Sequence, residues 1–512
     1  MPKSQIEDSM KEACVWLEGR ALLEEEVSWL FQSKLPGWNW ESVLAFMEQR
    51  GLLQKDKGIE QMGAGEEKIF SFFSSLRRWI GYNSPVSYRC RRCGATGTDI
   101  VLVSCARCEK DDCPYCRRCL GMGRSLGCTS YYIIPSFLST SASEQPISAI
   151  QHILDGYPTL TTAQRTAAEA MLRFRREEKE PDEFLVWAVC GAGKTEVMFP
   201  LVYDAITTGC HVLWATPRRD VVLELAPRLA AAFPDFPLSV LHGASSEKWS
   251  LAPLVLATTH QALRFYRRFD LVIIDEVDAF PYHGDPMLPF AVQRARQLPG
   301  KTVYLTATPR EEHRKRLVKP HYDSDFLPHV KIPVRYHGHP LPVPGNCRVS
   351  QLNDRLRQEK PIPELLSFFN QVAERDGQAF IFVASIARLA VLHRYIEQLA
   401  PEWQGKVETV HAADPERETK VRAMRAGTIR LLLTTTIMER GVTIGGVDVL
   451  VVQADASLFD EAALVQIAGR AGRSAACPDG TVLFLAEEIT PHMKAAVRHI
   501  QEMNRLAAGG GV

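Results

Sequence analysis

An apolar run of strand length leads directly into a glycine-containing loop, and this junction constrains the fold more than any other feature of the chain. The run is Glu183–Val189, and Gly-Ala-Gly-Lys-Thr follows at 191–195. A buried strand that turns through glycines into a helix is the phosphate-binding junction of α/β folds. An ordinary glycine turn is the alternative, and the Lys-Thr pair disfavours it. We therefore expect a nucleotide site here, although Ala188 replaces the usual first glycine.

The side chains of this loop have separate tasks in the predicted chemistry. Gly191 and Gly193 allow backbone angles and a close approach that a side chain would block. Successive N–H groups then form an anion-binding concavity at the start of a helix. We expect Lys194 to reach the terminal phosphates of ATP and the Thr195 hydroxyl to ligate Mg²⁺.

A second apolar run, Phe269–Asp275, ends in a cluster of carboxylates. Ligands bind at the carboxyl ends of the strands in open α/β sheets. We therefore expect Asp275 to hold Mg²⁺, directly or through water, and Glu276 to orient and deprotonate the attacking water. A solvated acidic turn is the alternative, but the preceding apolar run predicts a central strand with a polar tip.

The block Gln466-Ile-Ala-Gly-Arg470-Ala-Gly-Arg473 lies far downstream. It reads as a helix, which would place the two arginines on one face because they are three residues apart. An arginine that approaches ATP from a second lobe stabilises transition-state charge. A solvated basic helix is the alternative. The glycines at 469 and 472 disfavour it, since each costs a helix about 1 kcal/mol, and they suggest close approach to a neighbour. The predicted catalytic residues are Lys194, Asp275, Glu276, Gln466, Arg470 and Arg473.

In this order, the blocks resemble the motor core of superfamily 2 helicases and translocases over about residues 155–490. Further stretches resemble other motifs of that superfamily: 160–164, 215–218, 258–261, Thr306 with Thr308, 379–384 and 434–443. The resemblance implies two RecA-like parallel-sheet lobes with ATP between them. The implied nucleotide-binding residues are Gln164, Gly191, Ala192, Gly193, Lys194, Thr195, Glu196 and Gly441.

Eight of the 13 cysteines crowd between residues 90 and 128. Recurrent Cys-x-x-Cys spacing predicts tetrahedral zinc sites, and buried free thiols are the alternative. All-cysteine sites are usually closed and structural, so a catalytic zinc is disfavoured. The preferred first site is Cys90, Cys93, Cys116 and Cys119. The remaining four, Cys105, Cys108, Cys113 and Cys128, are left for a second site.

Charge alone identifies no partner, because Lys+Arg and Asp+Glu both total 60. Residues 77–124 nevertheless contain ten basic and four acidic side chains. This local excess would suit a phosphate backbone, and a solvated basic face is an equal alternative.

A cysteine-rich module followed by this motor is similar to the ComFA family of late competence proteins. The resemblance covers about residues 80–505 and implies an ATPase stimulated by single-stranded DNA at the DNA-uptake channel. It also implies a ComFC-type competence protein as a partner. The family usually shows only four zinc cysteines, so the second set here is a departure. PriA, a replication-restart helicase, carries its cysteines within the second lobe and is the weaker match.

The predicted fold class is therefore α/β, with two RecA-like lobes preceded by a zinc module and a helical N-terminal region. The predicted boundaries are 1–84 for the helical region, 85–134 for the zinc module, 150–312 for the first lobe and 313–505 for the second. The absence of a signal peptide or long apolar run predicts a cytoplasmic protein, with peripheral association at the inner face of the membrane left open. A homo-oligomer is also left open.

The predicted function is an ATP-driven single-stranded DNA translocase that acts in DNA uptake, with ATP, Mg²⁺ and Zn²⁺ as cofactors. Three alternatives remain. They are a PriA-like replication-restart helicase, an RNA helicase and a zinc scaffold with an inactive motor.

Overall fold

A computed structural model describes residues 3–62, 87–136, 149–177, 181–246, 248–438 and 444–509. The described residues form two large β-sheets and three small ones. The predicted α/β class with two parallel-sheet lobes is confirmed. Within the described residues, no helix combines the length and the apolar composition needed to cross a bilayer.

The N-terminal region contains the predicted helices, but it also contributes strands. A three-stranded antiparallel sheet has the order β1-β7-β2, so a strand beyond the cysteine-rich segment pairs with strands before it. The elements are α1 (Lys3–Leu17), β1 (Arg20–Leu23), α2 (Glu24–Lys34), α3 (Trp40–Gln49), β2 (Gln54–Lys57), β3 (Ile59–Met62), β4 (Ser87–Cys90), β5 (Ile100–Cys105), β6 (Lys110–Cys116) and β7 (Ser130–Ile134). Pairing of β3 with β4 and of β5 with β6 completes the two smallest sheets.

The first large sheet has seven strands in the order β10-β11-β9-β12-β13-β8-β14. Neighbours β10–β11, β11–β9, β9–β12 and β8–β14 are parallel, as the strand-then-helix pattern requires. The elements are α4 (Ala149–Asp155), α5 (Thr162–Arg176), β8 (Glu183–Ala188), α6 (Lys194–Thr207), β9 (Val212–Thr216), α7 (Arg219–Ala232), β10 (Leu238–Leu241), β11 (Leu254–Thr258), β12 (Phe269–Asp275), α8 (Met287–Ala295), β13 (Arg296–Thr306), α9 (Glu311–Leu317) and β14 (His329–Ile332).

The second large sheet has six strands, all in parallel pairs, in the order β15-β20-β19-β16-β18-β17. Its central strands β16, β18 and β19 are almost fully buried, which matches their apolar sequences. The elements are β15 (Gly345–Arg348), α10 (Leu352–Arg357), α11 (Pro363–Glu374), β16 (Gln378–Phe382), α12 (Ile386–Leu399), β17 (Val407–Val410), α13 (Arg417–Arg425), β18 (Leu431–Thr434), β19 (Val447–Val452), α14 (Glu461–Ala468), β20 (Val482–Ala486) and α15 (Pro491–Ala508).

Contacts divide the chain into two compact units. The first unit comprises Met1–Pro146, Glu178–Phe184 and Leu201–Tyr304, and therefore contains the cysteine-rich segment and the carboxylates after β12. The second unit comprises Ile147–Glu177, Leu185–Pro200 and Leu305–Val512, and therefore contains the phosphate loop and the second large sheet.

Candidate nucleotide site and two cysteine clusters

The phosphate loop, residues 189–193, connects β8 to α6 as the sequence predicts. Gly191 and Gly193 have φ of 81° and 72°, in the left-handed region that favours glycine. Helix α6 begins at Lys194, so the loop and the first turn of the helix can present N–H groups to an anion. The predicted phosphate and Mg²⁺ ligands, Lys194 and Thr195, are the first two residues of this helix.

Gln164 holds the phosphate loop from one side. Its Nε2 donates a hydrogen bond to the carbonyl oxygen of Ala192 at 2.8 Å, while its Oε1 accepts from the N–H of Thr161 at 2.8 Å. A Cβ atom built on Gly193 would lie 2.4 Å from this Nε2. The amide therefore packs against the loop, and Gly193 is required there for close approach as well as for backbone geometry.

The predicted carboxylates lie at the carboxyl end of β12, in the first unit. Asp275 is buried, and its Oδ1 accepts a hydrogen bond from the N–H of Glu276 at 2.9 Å. Glu276 itself has φ of 56°, which costs a residue with a side chain about 1–3 kcal/mol. Strained conformations of this kind are frequent at functional sites, and six other described residues with side chains also have a positive φ, so the angle agrees with a functional role for Glu276 without singling it out.

The arginine loop, residues 469–481, differs from the predicted helix. Helix α14 ends at Ala468, and Gly472 has φ of 57°, so the two arginines follow the helix and do not share one helical face. A Cβ atom on Gly472 would lie 2.0 Å from the carbonyl oxygen of Pro478. Gly472, one of the two glycines that disfavour an exposed helix, is therefore needed for a tight turn.

Within the second unit, the arginine loop packs against the phosphate loop. The Cys190 thiol donates a hydrogen bond to Oε1 of Gln466 at 3.0 Å, and both residues are buried. A Cβ atom built on Gly469 would lie 2.3 Å from Cys190 Cβ, and one on Gly191 would lie 3.9 Å from Arg473 Cγ. The fold thus brings Gln466 and Arg473 beside the phosphate loop.

Arg335, which no motif indicated, lies at the same junction. It follows β14, is 1% exposed, and its side-chain carbons lie 3.3 and 3.6 Å from a Cβ atom built on Gly191. Its guanidinium also donates to carbonyl oxygens of the arginine loop. A single arginine in a proline-containing segment gives no sequence signal for this role, because its carbonyl partners come from distant positions.

Residues 314–316 of α9 form a short basic run, and all three side chains pair with acidic residues. Arg314 donates to Oε1 of Glu461 at 2.7 Å, and His499 lies 3.0 Å from the same oxygen. The hydrogen bond with His499, followed by that with Arg314, lowers the pKa of Glu461 to about 2. Lys315 and Arg316 also form ion pairs with nearby acids. This run is therefore part of a helix-to-helix network in the second unit.

Other predicted motifs lie at strand ends. Thr216 and Thr258 are parallel partners at the carboxyl ends of β9 and β11, and both are buried. In the second unit, the Thr308 N–H donates to Thr306 Oγ1 at 2.9 Å, and Trp187 Nε1 donates to the intervening carbonyl of Ala307 at 3.0 Å. Gly441 and the rest of residues 439–443 lie outside the described residues.

The first cysteine cluster comprises Cys90, Cys93, Cys116 and Cys119, whose sulfurs all lie within 4.8 Å of one another. The Cys90–Cys119 and Cys93–Cys116 sulfur distances are 3.9 and 3.5 Å. Four sulfurs at about 2.3 Å from a tetrahedral zinc lie about 3.8 Å apart, whereas disulfide sulfurs lie about 2.05 Å apart. The donors and their spacing therefore fit Zn²⁺.

This first cluster belongs to the core of the first unit. Its four cysteines pack in one apolar cluster with residues of β9, β11 and β12. Arg92, which lies between Cys90 and Cys93 in the sequence, is fully buried. It donates to Oε1 of Glu26 at 2.8 Å, and Nη1 of Arg264 lies 3.1 Å from the same oxygen. Because Arg264 ends the 3-10 helix that starts at Thr259, this network joins the first cluster to the motif at 258–261.

The second cysteine cluster comprises Cys105, Cys108, Cys113 and Cys128, also with all sulfurs within 4.8 Å of one another. The Cys128 sulfur lies 3.7 Å from that of Cys105 and 3.8 Å from that of Cys113, which again matches zinc spacing. Backbone N–H groups of Cys108 and Arg107 lower the pKa of Cys105 to about 7, which favours the thiolate that binds metal. Cys108 and Cys128 are only half-buried, so this cluster lies nearer the surface.

Several basic side chains of residues 77–124 form ion pairs, which disfavours a nucleic-acid-binding surface there. Arg91, Arg92, Arg107 and Arg118 all bind carboxylates of the first unit. Arg77 and Arg78 lie outside the described residues. Four of the eight described basic side chains in residues 77–124 are therefore paired with acidic residues of the first unit.

Comparisons with known proteins agree with this architecture. Residues 7–133 match the family described as Competence protein ComFA N-terminal domain, 158–311 match Type III restriction enzyme, res subunit, and 360–475 match Helicase conserved C-terminal domain. Yeast Dbp5, solved with RNA and ADP BeF3, shares the fold with a TM-score of 0.50 at 15% identity, over 72% of this chain and 92% of that chain.

The two parallel sheets, the phosphate loop and the helicase-domain matches define the protein as a superfamily 2, nucleic-acid-dependent ATPase. Competence protein ComFA of Bacillus subtilis (strain 168) is 40% identical over 82% of this chain and 86% of that protein. Its namesake from Streptococcus pneumoniae (strain ATCC BAA-255 / R6) is 37% identical over 77% and 86%. The chain belongs to the ComFA family and is a helicase-like motor of competence.

Proposed function

We propose that this motor uses ATP to translocate single-stranded DNA during DNA uptake. The observation that carries the proposal is the combination, in one chain, of the competence-family region at 7–133 with both motor regions at 158–311 and 360–475. Contacts with the DNA backbone would give little sequence preference and a strong dependence on salt.

Each residue of the candidate nucleotide site is assigned a separate role in ATP hydrolysis. Lys194 and the phosphate-loop N–H groups bind the phosphates, while Thr195 and Asp275 are the residues that would hold Mg²⁺, which offsets phosphate charge. Glu276 orients water for attack on the γ-phosphorus and accepts its proton. Arg473, whose side chain runs past Gly191, stabilises the charge that develops on the transferred phosphoryl group.

The decisive experiment compares ATP hydrolysis by the zinc-replete protein with single-stranded DNA, duplex DNA or RNA. We expect single-stranded DNA to stimulate turnover most, and stimulation to fall as salt rises. Equal or greater stimulation by RNA would overturn the proposal in favour of an RNA helicase. Unwinding of a forked duplex at a rate matching ATP turnover would instead favour a replication-restart helicase.

The place of action forms a second part of the proposal. The protein would work at the inner face of the membrane, beside the uptake channel and with a ComFC-type protein. Family membership supports this placement. Co-purification of the two proteins from competent cells, with and without DNA, would test it.

Both cysteine clusters are proposed to hold zinc, because each presents four thiols at tetrahedral spacing. We expect about two zinc ions per chain, because one structural zinc site uses four thiols. Elemental analysis of protein purified without added metal measures this directly. A value of one would restrict zinc to a single cluster, and Cys-to-Ser changes in each cluster would show which.

A further inference from the structure

We propose that Arg335 is a positioning residue for ATP hydrolysis, which locks the arginine loop against the phosphate loop. It lies outside every motif of the motor, in the segment between β14 and β15. The proposal depends on contacts inside the second unit, and it concerns the ATPase reaction whichever nucleic acid stimulates it.

The guanidinium is saturated by backbone carbonyls. Within the arginine loop, Nη1 donates to the carbonyl oxygens of Ala471 at 3.0 Å and Gly472 at 2.6 Å, and Nη2 donates to that of Pro478 at 2.8 Å. Within its own segment, Nη2 donates to Pro340 at 2.6 Å and Nε donates to His339 at 3.3 Å. These five hydrogen bonds use all five N–H donors of the arginine, so a lysine could not make all of them.

The carbonyl partners indicate what this residue positions. Ala471 and Gly472 immediately precede Arg473, so two of the five bonds hold the backbone that aims its side chain. The bond to Pro478 closes the loop from its far side, where the chain turns back toward Gly472. An arginine that stabilises a transition state must be placed accurately, since an error of about 1 Å can cost about 100-fold in rate.

The same side chain also touches the phosphate loop. Its Cδ lies 3.3 Å from the position of a Cβ atom on Gly191, and the N–H of Tyr336 donates to the Gly191 carbonyl oxygen at 2.9 Å. Burial lowers the pKa of this guanidinium, yet arginine stays charged in proteins. Arg335 is thus a buried cation whose carbonyl partners lie on the arginine loop and whose carbons pack against the phosphate loop. A surface ion pair would need neither of these contacts.

The test combines Arg335→Lys with Arg473→Ala in a double-mutant cycle. Lysine keeps the charge but has three donors on one atom and cannot span the same carbonyls. We expect Arg335→Lys to lower kcat for ATP about 10- to 100-fold, with KM for ATP and nucleotide Kd little changed. In the Arg473→Ala background, the same change should lower kcat by less than about twofold, because its effect passes through Arg473.

Turnover is normalised to the concentration of sites that bind a fluorescent ATP analogue, so a loss of folded protein does not mimic a loss of rate. The matched control is Arg430→Lys, because Arg430 likewise binds a backbone carbonyl, that of Asp376 at 2.7 Å, and an adjacent carboxylate. Multiplicative losses in the double variant, or an unchanged kcat with only a lower Tm, would overturn the proposal and leave Arg335 a structural residue.

Discussion

Replacing Glu276 with glutamine is expected to lower ATP turnover about 10²–10⁴-fold while ATP remains bound. The carboxylate follows a buried strand and occupies a left-handed backbone position, with φ of 56°. Glutamine has nearly the same shape but cannot accept a proton, so it should preserve binding while removing the base. Single-turnover hydrolysis and the Kd for ATP, measured on the same preparation, separate these two effects.

The control for this experiment is Glu502→Gln, because Glu502 is an exposed residue of α15 and plays no part in the proposed chemistry. It should retain wild-type turnover. Wild-type turnover by Glu276→Gln would show that another group activates the water. A loss of ATP binding would show instead that the carboxylate matters for the architecture of the site.

The two cysteine clusters should respond very differently to loss of their metal. We expect Cys93→Ser/Cys116→Ser to remove one zinc and to abolish folding of the first unit. Structural zinc contributes about 10–16 kcal/mol in zinc-finger peptides, which equals or exceeds the total stability of many domains. Since the first cluster packs in the same core as β9, β11 and β12, its loss should extend into the motor.

The matched variant, Cys108→Ser/Cys128→Ser, should also remove one zinc but leave most of the ATPase activity. Both changed residues are half-buried, and the second cluster is centred on the β5–β6 hairpin and its neighbouring turns. Zinc content, Tm and ATP turnover should be measured together, with Cys14→Ser as a control outside both clusters. Equal damage by the two double variants would contradict the structural distinction between the clusters.

Local sequence determined the parts of this protein that depend on neighbouring residues. The phosphate loop follows from a strand, two glycines and a helix in immediate succession, and the Cys-x-x-Cys pairs bring thiols together over a few residues. The apolar runs at 183–189 and 269–275 likewise became buried strands, because burial of a parallel strand demands apolar residues on both faces.

Predictions from local sequence were wrong where distant parts of the chain decide the structure. The spacing of the two arginines predicts a helix, but α14 ends at Ala468, where Gly469 approaches Cys190 and Gly472 turns back to Pro478. The basic excess of residues 77–124 favours a nucleic-acid surface and a solvated basic face equally. Acidic side chains that the sequence places far away, such as Glu26 and Asp285, bind several of these arginines.

What the sequence alone determined was the class of motor, the strand-to-helix geometry of its phosphate loop and the division of the cysteines into two sets of four. Only the tertiary structure decided that one set lies in the motor core and the other nearer the surface. It also decided that Arg335 packs against Gly191 of the phosphate loop and binds distant residues of the arginine loop through carbonyl oxygens that every residue possesses. Backbone carbonyls carry no residue-specific signal, so such a contact becomes visible only once the chain has folded.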